Sequence, residues 1–288
     1  MKVGVIGVGL IGGSFALGLK DLGHEILGMD ADPVNAEKAL DLGLISRSCD
    51  LQELAEECEL IILSIPVNLA ASVLSELLDL ISWRTTVMDT GSTKSSLCRM
   101  VRNHAKRGRF VACHPLSGTE FSGPGAALPD LFKGKKNIIC EEHMSDEDAL
   151  DTVIHTLQSL EMHNIFMNPD EHDLHMAYVS HLSHVSSFML GSTVLDIEKD
   201  EKQIFNLAST GFASTVRLAK SSPETWSAIF TDNAENITQA LEAYIAHLQQ
   251  MKHAIEEKNN EKLKALLEDS NEIRRVLNGM KYNIVKLS

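Results

Sequence analysis

The chain has 288 residues, enough for two compact domains or one large one. Its 26 Lys and Arg against 40 Asp and Glu give a formal charge of −14, which argues against binding nucleic acid or an anionic membrane surface through phosphates. The composition, 44% hydrophobic and 23% charged, is globular; five cysteines without CxxC or CxxH spacing argue against a disulfide scaffold or structural zinc and fit a reducing cytoplasm.

Residues 3–19 carry no charge, but the stretch is short of the roughly 20 residues a membrane span needs. It is glycine-rich and lacks the cleavage pattern of a signal peptide, so it reads as a strand followed by a helix. Apolar runs at 2–7, 25–30, 59–65, 86–89 and 109–113 alternate with helical patterns at 10–22, 33–42, 69–81 and 93–105. Continuous apolar strands separated by helices predict a parallel sheet covered on both faces. Further strands at 137–140 and 163–167, flanking a helix at 146–160, extend it. Beyond Pro169 only helices are expected, at about 171–198, 202–219, 223–258 and 260–277, with breakers at Gly211, Pro223 and Asn259. No Lys or Arg occurs from 137 to 198, where seven histidines lie. The expected boundary is near 168: an α/β, mostly parallel, doubly wound domain over 1–168 and an all-α domain over 169–288. Apolar positions at helical spacing in 225–248 and 262–277 either pack within the chain or are completed by a second copy, making a homodimer.

The strongest local signal is Gly7-Val8-Gly9-Leu10-Ile11-Gly12 between the first strand and the first helix. Gly7 permits a tight turn, Gly9 a close backbone approach to a pyrophosphate, and Gly12 close helix–strand packing. The first helical turn, with Leu10 and Ile11, offers its free N–H groups to the phosphates. Asp30 ends the second strand, where a carboxylate accepts from a ribose hydroxyl and repels a 2′-phosphate; this favours NAD over NADP. Asp32 reads as the cap of the next helix. Two further strand ends, Leu63-Ser64-Ile65-Pro66 and Asp89-Thr90-Gly91-Ser92, point at the same crevice, with Ser64, Pro66 and Gly91 as lining.

Three clusters carry candidate chemistry. Cys113-His114-Pro115 ends a strand before a loop rich in Gly, Ser and Thr; the proline biases His114 to an extended strand tip, where its imidazole accepts a proton as hydride leaves an alcohol carbon. Two His-x-x-His pairs, His172/His175 and His181/His184, raise the question of a metal, but on a regular helix the four rings diverge. His172, Met176, Ser180 and His184 instead form one ridge suited to a pocket wall, with His175 and His181 facing elsewhere. Arg217 stands alone in a small and apolar run, so it is either paired internally or holds a carboxylate; the nearby ridge favours a substrate carboxylate. No metal site is expected.

These motifs together resemble the prephenate/arogenate dehydrogenase family of tyrosine biosynthesis. The resemblance rests on Gly7–Gly12, Asp89-Thr90-Gly91-Ser92-Thr93-Lys94, His114-Pro115-Leu116-Ser117-Gly118-Thr119-Glu120, Glu171-His172-Asp173, Ser180-His181-Leu182-Ser183-His184, and Thr215-Val216-Arg217 with Trp226, in family order along the whole chain. It implies a Rossmann domain, a helical dimerisation domain and a site between them, where His114 and Arg217 share a cleft. The implied reaction is NAD-dependent oxidative decarboxylation of prephenate, with arogenate as the alternative substrate. His184 facing the side-chain keto group slightly favours prephenate. By the same resemblance His114 takes the ring-hydroxyl proton, Ser92 orients His114 and touches cofactor, and Arg217 holds the ring carboxylate. His184 and Ser180 contact the side chain with His172 nearby; Thr119 and Glu120 lie at the pocket mouth, and Trp226 closes it from its own or a partner subunit.

Two positions depart from the pattern: Ser183 replaces a proline, and Ser214 stands where many relatives carry an acid, which weakens any ion-pair gate there. By its length the chain is expected to carry neither a C-terminal amino-acid-sensing domain nor a fused chorismate mutase, so feedback by tyrosine is expected at the active site or not at all. A β-hydroxyacid dehydrogenase would need a lysine early in the helical half, and none occurs between Lys136 and Lys199. A non-catalytic NAD sensor would need Asp30 and the glycines, but not His114 and Arg217 together.

Overall fold

The computed structural model describes residues 1–199 and 207–279. Its centre is an eight-stranded sheet ordered β3-β2-β1-β4-β5-β6-β7-β8, with β1 Lys2–Ile6, β2 Glu25–Met29, β3 Arg47–Ser48, β4 Leu60–Leu63, β5 Thr86–Asp89, β6 Phe110–Pro115, β7 Lys136–Cys140 and β8 His163–Met167. Every pairing is parallel except β6 with β7. Successive side chains of a strand face opposite sides. Val3 and Val5 of β1, with Leu60 and Ile62 of β4, therefore join one buried cluster, while Ile61 and Leu63 join the other. Helix α1 (Leu10–Asp21) adds Phe15 and Leu19 to the first cluster, and α6 (Glu147–Ser159) adds Val153 and Leu157. On the second face lie α3 (Leu51–Glu57), α4 (Val67–Leu80) and α5 (Ser95–Val101). Helix α2 (Pro33–Asp41) starts at an Asp32 cap that accepts from the Val34 amide at 2.9 Å, as its sequence implies.

Two elements escape the periodicity. Strand β3 has two exposed residues, too few to show a pattern. Helix α3 has seven residues and is fixed by a reciprocal capping box, Asp50 with Glu53, rather than by a long apolar stripe. After β8 come α7 (Pro169–Met176), a π-helical segment Ala177–His181, α8 (Leu182–Glu198), α9 (Thr210–Val216), α10 (Pro223–Asp232), α11 (Ala234–Glu256), α12 (Asn260–Asn271) and α13 (Arg274–Gly279). The helix expected over 223–258 is two helices, broken at Asn233, whose backbone leaves helical geometry at φ −106°. Of the helix expected over 202–219, residues 202–206 lie outside the described residues, and the rest is helical from Thr210 onward.

By internal packing the chain divides into two compact units, Met1–Ile237 and Thr238–Ser288. The first holds the whole sheet and all the groups discussed below. In the second, Asn259 caps α12 by accepting from the Lys262 amide at 3.0 Å.

Candidate active site

Strand order reverses between β1 and β4, and in such sheets the carboxyl ends of the strands border a crevice. Gly7 sits there at φ +88°, and a Cβ on it would lie 2.3 Å from the Ser64 carbonyl oxygen. A Cβ on Gly12 would lie 1.9 Å from the Gly7 carbonyl oxygen, so the turn and the first helical turn touch backbone to backbone. Gly9 caps α1 without any side-chain cap, and a Cβ on it would meet nothing within 4 Å. The free N–H groups at Leu10 and Ile11 therefore border open space, the arrangement that suits an anionic pyrophosphate.

Asp30 follows β2 and braces this turn: one carboxylate oxygen accepts from the Val8 amide at 3.0 Å, the other from the Asp32 amide at 3.0 Å. The Ser64 hydroxyl lies 3.1 Å from that of Thr90, and Pro66 precedes α4, so the ends of β4 and β5 are joined. Beneath Gly91 lies a buried ion pair, Lys94 with Asp89. The Asp89 carboxylate also accepts from the Gly91 amide at 2.9 Å and the Cys113 amide at 3.0 Å, tying the β5 tip to β6. Burial works against the Lys94 charge, but the Asp89 carboxylate more than offsets it and raises the ammonium above its ordinary value.

His114 stands at the tip of β6, 9% exposed. The family resemblance gives Ser92 as the residue that orients it; the structure gives a different one. His114 Nδ1 lies 2.8 Å from His172 Nε2, and no hydrogen bond joins His114 to Ser92. His172 Nδ1 in turn lies 2.7 Å from Asp173 Oδ1. The Asp173 carboxylate also accepts from the amides of Lys94 and Ser95, both at 2.8 Å. His172 is wholly buried, so it stands behind His114. Burial, with His172 and Lys94 nearby, pushes the His114 imidazole well below its usual range. His172 is lowered too, by burial against the opposing pull of Asp173. Burial would raise Asp173, but the His172 contact and the two amides win and hold its carboxyl below normal.

The π-helical segment redirects the helical wall. On a regular helix His181 faces away from His172; here a π turn over Ala177–His181 interrupts the regular helix, and His181 is fully buried. Asn233, the residue that breaks α10 from α11, donates Nδ2 to the Asp173 carbonyl at 2.7 Å and lies 3.2 Å from His181 Nδ1. Burial lowers His181 to about 4. Ser180 is half-buried within the π segment, and its carbonyl accepts from His184 Nδ1 at 3.1 Å. His184 stacks on the indole of Trp226 in the same chain, with ring centres 3.3 Å apart. His175 is exposed, as the helical reading has it.

Arg217 follows α9, and its Nη1 donates to Glu120 Oε2 at 2.9 Å. Arg217 is thus paired internally, although half of its side chain remains exposed. Glu120, held below its ordinary value by its own backbone N–H and by Arg217, belongs to the loop after His114, as does Thr119, whose hydroxyl accepts from the Phe121 amide at 3.2 Å. The pair therefore brings Arg217 to the loop that follows His114. Ser183 and Ser214 are exposed, and the Ser214 hydroxyl donates to the Gly211 carbonyl at 2.9 Å. Among the described residues no group of three or more His, Cys, Asp or Glu could hold a metal, and no helix is long and apolar enough to cross a membrane.

Asp173, Asn233, Lys94 and Asp89 are the residues that sequence reasoning left without roles. Asp173 and the Asp89–Lys94 pair lie inside recognised motifs, but only the fold shows what they touch. Asn233 leaves a weak trace, a polar turn-former inside a helical pattern.

A nucleotide-type crevice at a switch point, with a buried histidine relay on its rim and a helical half beyond, defines the two-domain dehydrogenase class. The prephenate dehydrogenase nucleotide-binding domain model matches residues 15–166, and the prephenate dehydrogenase dimerization domain model matches 168–269. The chain belongs to the prephenate dehydrogenase family. It is 27% identical to the prephenate dehydrogenase of Lactococcus lactis over 96% of this chain and 77% of that one. The structure of prephenate dehydrogenase from A. aeolicus in complex with hydroxyphenyl propionate and NAD+ matches with a TM-score of 0.87 at 32% identity, covering 96% of this chain and 98% of that one. Synechocystis arogenate dehydrogenase matches with a TM-score of 0.74 at 28% identity, covering 96% of this chain and all of that one.

Proposed function

We propose that the protein oxidises and decarboxylates prephenate to 4-hydroxyphenylpyruvate, with NAD as hydride acceptor. The observation that carries this reading is His114, buried at a strand tip beside the crevice, with Nδ1 engaged and Nε2 making no hydrogen bond among the described residues. The open backbone at Gly9 and the Gly7 and Gly12 contacts suit a dinucleotide pyrophosphate, with Leu10 and Ile11 donating, Asp30 beside the ribose, and Ser64, Pro66, Gly91 and Ser92 along the rest of it. NAD supplies the acceptor for the hydride that leaves the carbinol carbon.

The residues of this chain bind, orient and accept one proton. His114 Nε2 takes the hydroxyl proton as the carbonyl forms. The ring carboxylate departs as carbon dioxide, the electrons of the broken bond make the ring aromatic and leave a phenolate oxygen that takes the proton back from His114, so the step needs little more than alignment. Arg217 exchanges Glu120 for the ring carboxylate. His184 and Ser180 contact the pyruvyl side chain, Thr119 and Glu120 form the mouth, and Trp226 closes it. His172 acts from behind His114. The cofactor half ends near residue 168, and the helical half covers its exposed apolar side chains, among them Val179, Met189 and Leu195, by pairing with a second copy in the cytoplasm.

The test is absorbance at 340 nm with NAD and either prephenate or arogenate. Formation of NADH with a higher kcat/KM for prephenate is expected. Preference for arogenate would replace the substrate, and no NADH with either would end the reading.

A further inference from the structure

We infer that Asp173 and His172 are positioning residues that fix the tautomer of His114, keeping its Nε2 free of hydrogen and ready to receive a proton. The inference deepens the proposed function and rests on it for its kinetic part only. It follows from donor and acceptor arithmetic. A backbone amide can only donate, and two of them, Lys94 and Ser95, reach the two oxygens of Asp173 at 2.8 Å each. The side chain is therefore an acceptor at both oxygens, and these amides with the His172 contact hold its carboxyl below the usual carboxylate range, so it is ionised. His172 Nδ1, at 2.7 Å from Oδ1, must then carry the hydrogen. A neutral imidazole has one N–H, so His172 Nε2 is bare and accepts. His114 Nδ1, at 2.8 Å from it, is left as the donor, and His114 Nε2 has none.

The surroundings hold this polarity in place. Burial keeps both rings neutral. The charged and titratable groups facing the relay are Lys94, Asp89 and His181. Lys94, beneath Gly91, is paired with Asp89 at the end of β5, so their charges compensate. His181 of the π segment is neutral and takes the Asn233 amide on Nδ1. Asn233 also grips the Asp173 carbonyl at 2.7 Å, so the backbone of the anchoring carboxylate is fixed from the end of α10. When the substrate hydroxyl loses its proton to Nε2, His114 becomes a cation while keeping Nδ1–H. Its charge then faces the Asp173 carboxylate through one neutral ring, and Nε2 returns the proton to the phenolate oxygen that forms as carbon dioxide departs. The carboxylate is not protonated in this scheme.

Two measurements decide the inference. In protein labelled with ¹⁵N on histidine, long-range ¹H–¹⁵N spectra at neutral pH are expected to show hydrogen on Nδ1 and none on Nε2 for both His114 and His172. Hydrogen on His114 Nε2 would overturn the relay without any variant or substrate. In steady-state kinetics, His172→Leu is expected to lower kcat about 100-fold with KM for prephenate within about twofold. His172→Gln offers an amide oxygen to His114 and an NH₂ to Asp173, and is expected to recover to within about tenfold of the parent enzyme. Asp173→Asn removes the facing charge, and the acid limb of its kcat profile is expected to move to lower pH. Equal activity of the Leu and Gln variants, or a change carried by KM alone, would make His172 a packing residue. Absence of NADH from the parent enzyme would end the functional reading, and the nitrogen spectra would still judge the relay.

Discussion

The strand-tip crevice and the helical wall handle polar groups in opposite ways. At the crevice, backbone N–H groups at the start of α1 are left without side-chain caps, and the geometry comes from three glycines whose nearest neighbours are main-chain atoms or open space. At the wall, buried side chains are engaged by one another and by the main chain: His114 by His172, His172 by Asp173, the Asp173 carboxylate by two backbone amides, and the Asp173 carbonyl by Asn233. A site made of backbone survives most side-chain changes and accepts whatever anion fits. A site made of a side-chain network is specific and polarised, and it depends on every member. The contrast suits a cofactor shared by many enzymes on one side and a particular substrate on the other.

The largest effect should come from breaking the network at its working end. His114→Asn is expected to lower kcat by roughly 10²–10⁴ while KM for prephenate changes little, read from initial rates of NADH formation. A rise in KM at constant kcat would move His114 from proton acceptor to binding contact. Next is Arg217→Ala, which removes the guanidinium that exchanges Glu120 for the substrate. It is expected to raise KM by an amount worth about 2–4 kcal/mol, with a smaller change in kcat. An unchanged KM would leave Arg217 as a partner of Glu120 alone.

Acid should also separate the two regions, because the buried histidines lie in the network. His181 titrates near 6.5 when unfolded and at about 4 when folded. Below pH 6.5 the unfolded chain takes up a proton that the folded chain refuses, so stability is complete above that value and is lost as pH falls towards 4. His181 alone contributes up to roughly 3 kcal/mol of this loss. Urea unfolding at pH 7.5 and 5.0 is expected to show a smaller acid loss in His181→Asn, which keeps an acceptor for Asn233 and cannot titrate. An identical loss in the parent and the variant would place the acid sensitivity elsewhere.

Legibility in the sequence follows the same division. The crevice is local: Gly7, Gly9 and Gly12 lie within six residues between a strand and a helix, and their spacing alone gives the turn. The strands of the sheet are equally local, because each is a continuous apolar run; β3 and α3 are too short to show a period. The wall is not local. His114 meets His172 across 58 residues, and Asn233 meets Asp173 across 60, distances over which no periodicity speaks. A π turn, Ala177–His181, also interrupts the regular helix assumed by the period, and His181, expected to face elsewhere, is fully buried. Arg217 shows the remaining gap. Its isolation in a small-residue run is visible, but its partner Glu120 lies 97 residues away.

The smallest effect expected is also the cleanest separation of fold from function. Gly9→Ala adds a methyl group where nothing lies within 4 Å, at a backbone φ of −71° that alanine adopts freely. Folding stability should therefore stay within about 0.5 kcal/mol of the parent. The same methyl group stands where a pyrophosphate would approach the N–H groups of α1, so the Kd for NAD measured by calorimetry is expected to rise about tenfold. Gly12→Ala should behave oppositely: its methyl group would overlap the Gly7 carbonyl oxygen, and both stability and cofactor affinity should fall together. If Gly9→Ala bound NAD as tightly as the parent, the dinucleotide would have to run along some other part of the crevice. The uncapped amides of α1 would then be serving water alone.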